Sequence, residues 1–190
     1  MAAAHETTNT GSLIKVAIVG PESSGKSHLA RQLAAHFRCD WVPEFAREYL
    51  EKLGKPYTLD DVETIARGQI ESEDAAAKKS KSLLICDTNL LVIKIWMEHK
   101  YTHVPGWIET EIKKRKYHLH LLTAPDIPYQ HDPLRENPEL GEYFFKKYQL
   151  LLGSIGADYV IIAGNETQRL RQAIASINQL LKRTGMISSL

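Results

Sequence analysis

Residues 18–27 read Ile18-Val19-Gly20-Pro21-Glu22-Ser23-Ser24-Gly25-Lys26-Ser27, an apolar strand end, then a glycine-bearing turn, then the start of an amphipathic segment. Gly20, Gly25, Lys26 and Ser27 meet the fixed positions of G-x-x-x-x-G-K-[ST], the phosphate-binding P-loop. Glycine lets the backbone curl with its N–H groups inward, so a polyphosphate can sit in the nest they make at a helix N-terminus. On this reading Gly20, Glu22, Ser23, Ser24, Gly25, Lys26, Ser27 and His28 line the nucleotide cradle. Lys26 reaches the β- and γ-phosphates and Ser27 ligates Mg²⁺, which makes ATP and Mg²⁺ the expected cofactors.

Length and charge narrow the partners. The chain has 190 residues, the size of one domain with a full core, so residues 13–190 are expected to form a single domain behind a tail at 1–12. Lys and Arg total 24 against 23 for Asp and Glu, and a net charge of +1 creates no global field for nucleic acid or an acidic membrane. Any anion site must be local. The two cysteines, Cys39 and Cys86, lie far apart, which suits a reduced, cytoplasmic chain. No apolar run is long enough to span a bilayer, and residues 1–10 lack the pattern of a signal peptide. The expected partner is a small nucleoside-like molecule; the oligomeric state stays open.

Hydrophobic periodicity supplies the other elements. Residues 13–19 are mostly apolar, as in a central parallel strand buried on both faces. Leu29, Leu33 and Phe37, with Ala30 and Ala34 beside them, make one apolar stripe on the helix after the loop. A short strand at 39–42 stops at Pro43, and 44–50 reads as a helix with Glu44, Arg47 and Glu48 on one face. The next helix starts at Thr58 and runs toward 81, where Lys78, Lys79 and Lys81 mark a solvated face.

Leu83-Leu84-Ile85-Cys86-Asp87 is an apolar strand that ends in an acid. Downstream of a P-loop, Asp87 reads as the Walker B acid that supports Mg²⁺, with an ordinary helix cap as the alternative. Helices at 90–99 and 105–116 follow, the first apolar nearly all round, as in a buried helix or a pocket wall. A strand at 118–122 sets His118 and His120 on one face, without the Cys or carboxylate partners of a metal site. Residues 123–138 carry four prolines and read as an irregular lid that brings Arg135, after Asp132, over the phosphates; a surface pair of the two is the alternative. A helix at 140–152, a strand at 157–162 and a helix marked by Leu170, Ile174, Ile177 and Leu181 complete the chain. Five strands alternating with helices predict an α/β fold, a five-stranded parallel sheet sandwiched by helices.

Four stretches then carry a family resemblance: 20–27, Glu44-Phe45-Ala46-Arg47-Glu48, Ile85-Cys86-Asp87-Thr88 and Asp132-Pro133-Leu134-Arg135. Together they resemble the NadR-type ribosylnicotinamide kinase domain, over about residues 15–181. Glu22-Ser23-Ser24 and the spaced Glu-aromatic-Ala-Arg-Glu are the specific parts, since many unrelated enzymes share a bare P-loop. The resemblance implies transfer of the ATP γ-phosphate to the 5′-hydroxyl of nicotinamide riboside, giving nicotinamide mononucleotide for NAD synthesis. Larger members place a nucleotidyltransferase domain ahead of the kinase; the residues before the first strand cannot hold one, so adenylyl transfer is not expected. Members often carry a second acid two positions after the strand-terminal Asp, where this chain has Asn89.

The expected chemistry is in-line attack of a ribose hydroxyl on the γ-phosphate, with Lys26 and Arg135 balancing transition-state charge. Glu44, just beyond the second strand, is the expected base, with Asp87 as the competing base and a carboxylate that only stabilises its helix start as the further alternative. Arg47 either binds phosphate or pairs with neighbouring glutamates. Glu44, Arg47, Asn89, Trp96 and Tyr129 make up the expected acceptor site, with Trp41, Trp96 and Tyr129 as stacking surfaces for a flat cationic ring. A guanine reader of the N-K-x-D type is missing: Asn165-Glu166-Thr167 lacks the pattern. A kinase for thiamine or a deoxynucleoside, or a non-catalytic ATP-binding regulator, would use the same loop.

Overall fold

Strand β1 (Ile14–Val19) occupies the middle of a five-stranded sheet because both of its faces are apolar. The structure, a computed structural model, describes residues 13–127 and 138–186. Along the chain come α1 (Lys26–Phe37), β2 (Asp40–Val42), α2 (Phe45–Leu53), α3 (Leu59–Lys79), β3 (Leu83–Asp87), α4 (Leu90–Tyr101) and α5 (Gly106–Lys114). They are followed by β4 (Leu119–Thr123), a 3₁₀ turn (Pro138–Leu140), α6 (Gly141–Ser154), β5 (Tyr159–Ile162) and α7 (Glu166–Arg183). The strand order is β2-β3-β1-β4-β5 and every pairing is parallel, as the alternation of strands and helices predicts.

The period of two along β1 decides which helices it meets. Ile14, Val16 and Ile18 pack with Leu29, Ala30 and Leu33 of α1 and Ala173, Ile177 and Leu180 of α7. On the opposite face, Val19 and Leu122 meet Leu91 and Ile95 of α4 and Phe144, Tyr148 and Leu152 of α6. A satellite core of Val62, Ile65, Leu90, Ile93, Met97 and Ile108 joins α3, α4 and α5, with Phe45 and Tyr49 of α2 packed against it. This second core holds α2 beside the carboxyl edge of the sheet, where ligand crevices form in folds of this kind.

Several expectations shift in detail. His118 and His120 do not act as a pair: His118 precedes β4 and its Nδ1 accepts from the Lys15 N–H at 3.1 Å, while His120 is buried against Asn89. Glu48 turns to Lys52 and Arg47 to Glu51, so the three-residue face expected on α2 splits into two exposed i,i+4 pairs. Both thiols are free, and burial pushes Cys39 up to about 11 and Cys86 well above its usual range, so neither forms a ready thiolate. Among the described residues no helix is long and apolar enough to cross a membrane.

Candidate active site

The loop after β1 bends through Gly20 (φ 145), Ser23 (φ 60) and Gly25 (φ 79) before α1 begins at Lys26. Left-handed residues alternating with ordinary ones gather backbone N–H groups into an anion-binding concavity. Helix α1 starts with no side-chain cap and no acid in its first turn, whereas α3 and α7 close their N-termini with capping boxes. Its first N–H groups and its positive dipole end therefore remain for a ligand.

The loop is braced from behind. A Cβ on Gly20 would lie 2.4 Å from Thr123 Oγ1 and 2.7 Å from the Thr123 carbonyl oxygen, so only glycine fits against the end of β4. Ser24, expected to contact nucleotide, has its hydroxyl buried instead: it donates to the Pro21 carbonyl at 2.7 Å and lies 2.6 Å from Thr123 Oγ1. Lys26 curls over the loop and its Nζ donates to the Gly20 and Pro21 carbonyls at 3.0 and 2.7 Å. That pose keeps the ammonium at the mouth of the nest.

Asp87 ends β3 directly beside this cradle and is only 1% exposed. Burial, then the charge of Glu44, raises its carboxyl from an ordinary 3.8 to about 6; a hydrogen bond from Ser27 and the charges of Lys26 and Arg47 pull the other way. Its Oδ1 is buried and has no hydrogen-bond partner among the described residues. A carboxylate oxygen left unsatisfied next to a serine hydroxyl fits a hard divalent cation that takes oxygen ligands. Thr88, the next residue, is held at φ 73, a costly conformation for a β-branched side chain and a mark of a constrained site.

Burial raises the Asp87 carboxyl and the Tyr148 hydroxyl, and the charge of Glu44 adds to both, which sets Glu44 near each of them. Glu44 occupies the N-cap of α2, and Gln69 of α3 holds the backbone on either side of it. The Gln69 Oε1 accepts from the Phe45 N–H at 2.8 Å, and its Nε2 donates to the Pro43 carbonyl at 3.5 Å. Gly68 makes this possible, since a Cβ there would lie 2.3 Å from the Phe45 ring.

These groups border one cleft of about 850 Å³, which contains Gly20 to His28, Glu44, Arg47 and Asp87. Such a volume holds a nucleotide and a small second substrate. On the α1 and α7 side the lining is polar: His28, Arg31, Gln32, Glu166 and Arg169, with Glu166 accepting from Gln32 at 2.6 Å and lying 2.8 Å from His28 Nε2. On the α2, α4 and α6 side it is aromatic and apolar, with Tyr57, Ile95, Trp96, His99, Phe144 and Tyr148. Trp96 Nε1 donates to the Tyr57 hydroxyl at 2.9 Å and the two rings meet edge to face at 5.0 Å. Trp41 also borders the cleft and packs partly against the core shared by α1 and α7.

Asn89 is a correction. It does not border the cleft; its Oδ1 caps α4 by accepting from the Leu91 N–H at 3.0 Å, and its Nδ2 lies 3.4 Å from His120 Nε2. The left-handed Thr88 turns the chain between Asp87 and Asn89, so the two side chains part. Arg135, Tyr129 and most of the expected lid lie outside the described residues. Tyr57, Tyr148 and Arg169 carry no role in the sequence reading. Only Arg169 carried a signal, as a charge four residues before Ala173 on the buried stripe of α7.

A central strand, a phosphate loop and an acid at the end of the neighbouring strand define a P-loop fold. The chain belongs to the AAA domain family, whose model matches residues 15–169. It is 27% identical over 126 residues to the trifunctional NAD biosynthesis/regulator protein NadR of Escherichia coli K12, a match covering 63% of this chain and 30% of the relative. A crystal structure of NadR in complex with NR superposes with a TM-score of 0.82 at 21% identity, covering 94% of this chain and 54% of that one. Deoxyadenosine kinase from M. mycoides matches with a TM-score of 0.62 at 14% identity, over 87% of this chain and 100% of the other. The resemblance to the NadR-type domain thus holds in sequence and in fold, and the chain spans about half the length of the NadR crystal structure it matches.

Proposed function

We propose that the chain is an ATP-dependent kinase that phosphorylates a nucleoside-like alcohol, with the 5′-hydroxyl of nicotinamide riboside as the acceptor. The observation that carries this reading is the unsatisfied Asp87 Oδ1, buried beside Ser27 and Lys26 and facing Glu44 across the cleft. The γ-phosphate belongs between the loop and these carboxylates, so the acceptor enters from the aromatic side and the nucleoside of ATP leaves toward His28 and Glu166.

Ser27 and Asp87 would hold Mg²⁺, which when bound neutralises charge on the β- and γ-phosphate oxygens. The chain's own residues do the rest. The loop N–H groups and Lys26 orient the triphosphate, while Glu44 accepts the proton of the attacking hydroxyl. The acceptor oxygen forms the new bond to phosphorus as the bond to the β–γ bridging oxygen breaks, and ADP departs. Arg135 is assigned to transition-state charge on sequence grounds.

Two features favour a cationic pyridinium nucleoside. Trp96, Tyr57 and Phe144 offer aromatic surface on the acceptor side, and Glu44 adds a carboxylate to it. The likeness to a NadR structure solved with NR agrees. A panel of acceptors with Mg²⁺–ATP tests the proposal: ATP consumption that depends on nicotinamide riboside supports it. Consumption with thiamine or a deoxynucleoside instead reassigns the acceptor, and ATP binding without turnover on any acceptor points to a regulator. Lys26→Ala must abolish turnover; retained turnover removes the loop from the mechanism.

A further inference from the structure

Arg169 sits on the buried face of α7, in line with Ala173 and Ile177, and is 5% exposed. An arginine there must find acceptors or destabilise the fold. Its Nε donates to the Gly164 carbonyl at 2.7 Å, one terminal nitrogen to the Ser24 carbonyl at 2.9 Å, and the other to the Ala124 carbonyl at 2.8 Å and to Asp126 Oδ1. Asp126 is itself fixed, since its Oδ2 accepts from the Gly164 N–H at 2.6 Å. One guanidinium therefore joins the phosphate loop, the exit of β4 and the turn between β5 and α7.

We propose that Arg169 is a positioning residue for the phosphate loop, acting through the Ser24 carbonyl. A guanidinium has five N–H donors, and four are already committed to these partners, so it has no fork left to grip a phosphate in bidentate fashion. Its influence runs through geometry. The Ser24 C=O and the Gly25 N–H lie antiparallel in one planar peptide, so the bond from Arg169 sets the direction of a donor at the start of α1. Ser24 Oγ and Thr123 hold the same residue from its side chain. Without Arg169, the loop would have to be ordered at the expense of nucleotide affinity. The acceptor side of the cleft lies on the other face of the sheet and does not share this brace.

This inference rests on the reading that the loop binds a nucleoside triphosphate, and its test separates the two. Arg169→Lys keeps a positive charge but cannot reach three loops at once. Calorimetry with Mg²⁺–ATP should show about tenfold or greater loss of affinity, the scale of losing charge-assisted hydrogen bonds, with the acceptor KM within about twofold of native. Asp126→Asn should lose less, in the same parameter. In Arg169→Ala, millimolar guanidinium should restore ATP affinity where sodium at equal concentration does not. Native ATP affinity in a folded Arg169→Lys protein overturns the assignment, as does a parallel rise in acceptor KM. Should the lysine variant misfold, Asp126→Asn carries the same comparison. If the native protein binds no ATP, the functional reading fails by itself. Hydrogen exchange in nucleotide-free protein then decides the brace: it should quicken over residues 20–27 and 163–169 in Arg169→Lys, and unchanged exchange there rejects it.

Discussion

Gly20 and Thr123 approach so closely that no β-carbon fits between them: a Cβ on Gly20 would lie 2.4 Å from the Thr123 hydroxyl and 2.7 Å from its carbonyl oxygen. The phosphate loop is thus set against the end of β4 by contact between backbones. Gly20→Ala combines this overlap with a φ of 145, and is expected to cost about 2–5 kcal/mol. Because the carbonyl oxygen also collides, trimming Thr123 to Ala in the same chain should not restore stability. Denaturant melts of the single and double variants check this; full rescue would show that the hydroxyl alone sets the distance.

Asp87 makes stability and function oppose each other. Its folded value of about 6 lies above the ordinary 3.8, so its burial favours the protein only while the carboxyl is protonated. That contribution is complete below pH 3.8 and is lost as pH rises through about 6. Asp87→Asn should therefore stabilise the ligand-free protein at pH 7 by about 1–3 kcal/mol and change it little near pH 3.5. The same variant should lose Mg²⁺-dependent turnover. In the native protein, Mg²⁺ affinity should fall as pH drops below about 6, where a proton competes for the carboxylate.

Gln69 holds the peptide groups on both sides of Glu44. Replacing it with Leu leaves the Phe45 N–H without its acceptor, at a cost of about 1–3 kcal/mol. Acceptor KM should rise while ATP affinity stays native, since α2 is tied to the acceptor side of the cleft. A change confined to ATP affinity would separate Gln69 from Glu44. Glu44→Gln, which leaves the backbone in place, should lower turnover far more than nucleotide affinity.

At the opposite end of β1 a buried ionic network does structural work only. Glu73 is 2% exposed and accepts from Lys15 Nζ at 2.7 Å, from an Arg115 terminal nitrogen at 3.3 Å and from the Tyr117 hydroxyl at 2.5 Å. Glu73→Ala leaves Lys15 without a buried partner and is expected to cost about 3–5 kcal/mol. Turnover per folded molecule should be unchanged, because none of these residues borders the cleft. Thermal melts alongside specific activity decide it.

The elements were legible in the sequence because each is a local pattern. The loop motif, the apolar stretch ending at Asp87 and the stripe of α1 depend on spacing within a few residues, and the structure places all three as the spacing predicts. Glu73 was not legible. It sits in a helix whose neighbouring charges are exposed, and only the packing of α3 on the sheet shows that this carboxylate turns inward, whereas Gln69 falls on the apolar inward face that the spacing of Val62, Ile65 and Ala66 marks. Asn89, two positions after Asp87 along the chain, caps α4 and lies against His120 instead of bordering the cleft, with Thr88 at φ 73 between the two.

By itself, the sequence determined that a glycine-rich turn would bind phosphate and that an acid would stand at the end of a neighbouring strand, since motif spacing and strand periodicity are properties of adjacent residues. Tertiary structure decided what braces and surrounds that turn. Arg169 reaches Ser24 across 145 residues, and Glu44, Tyr57 and Trp96 come from three separate segments to make the acceptor side. Such contacts follow from how helices stack on a twisted sheet, and the residues that make them have the same local patterns as residues that face water.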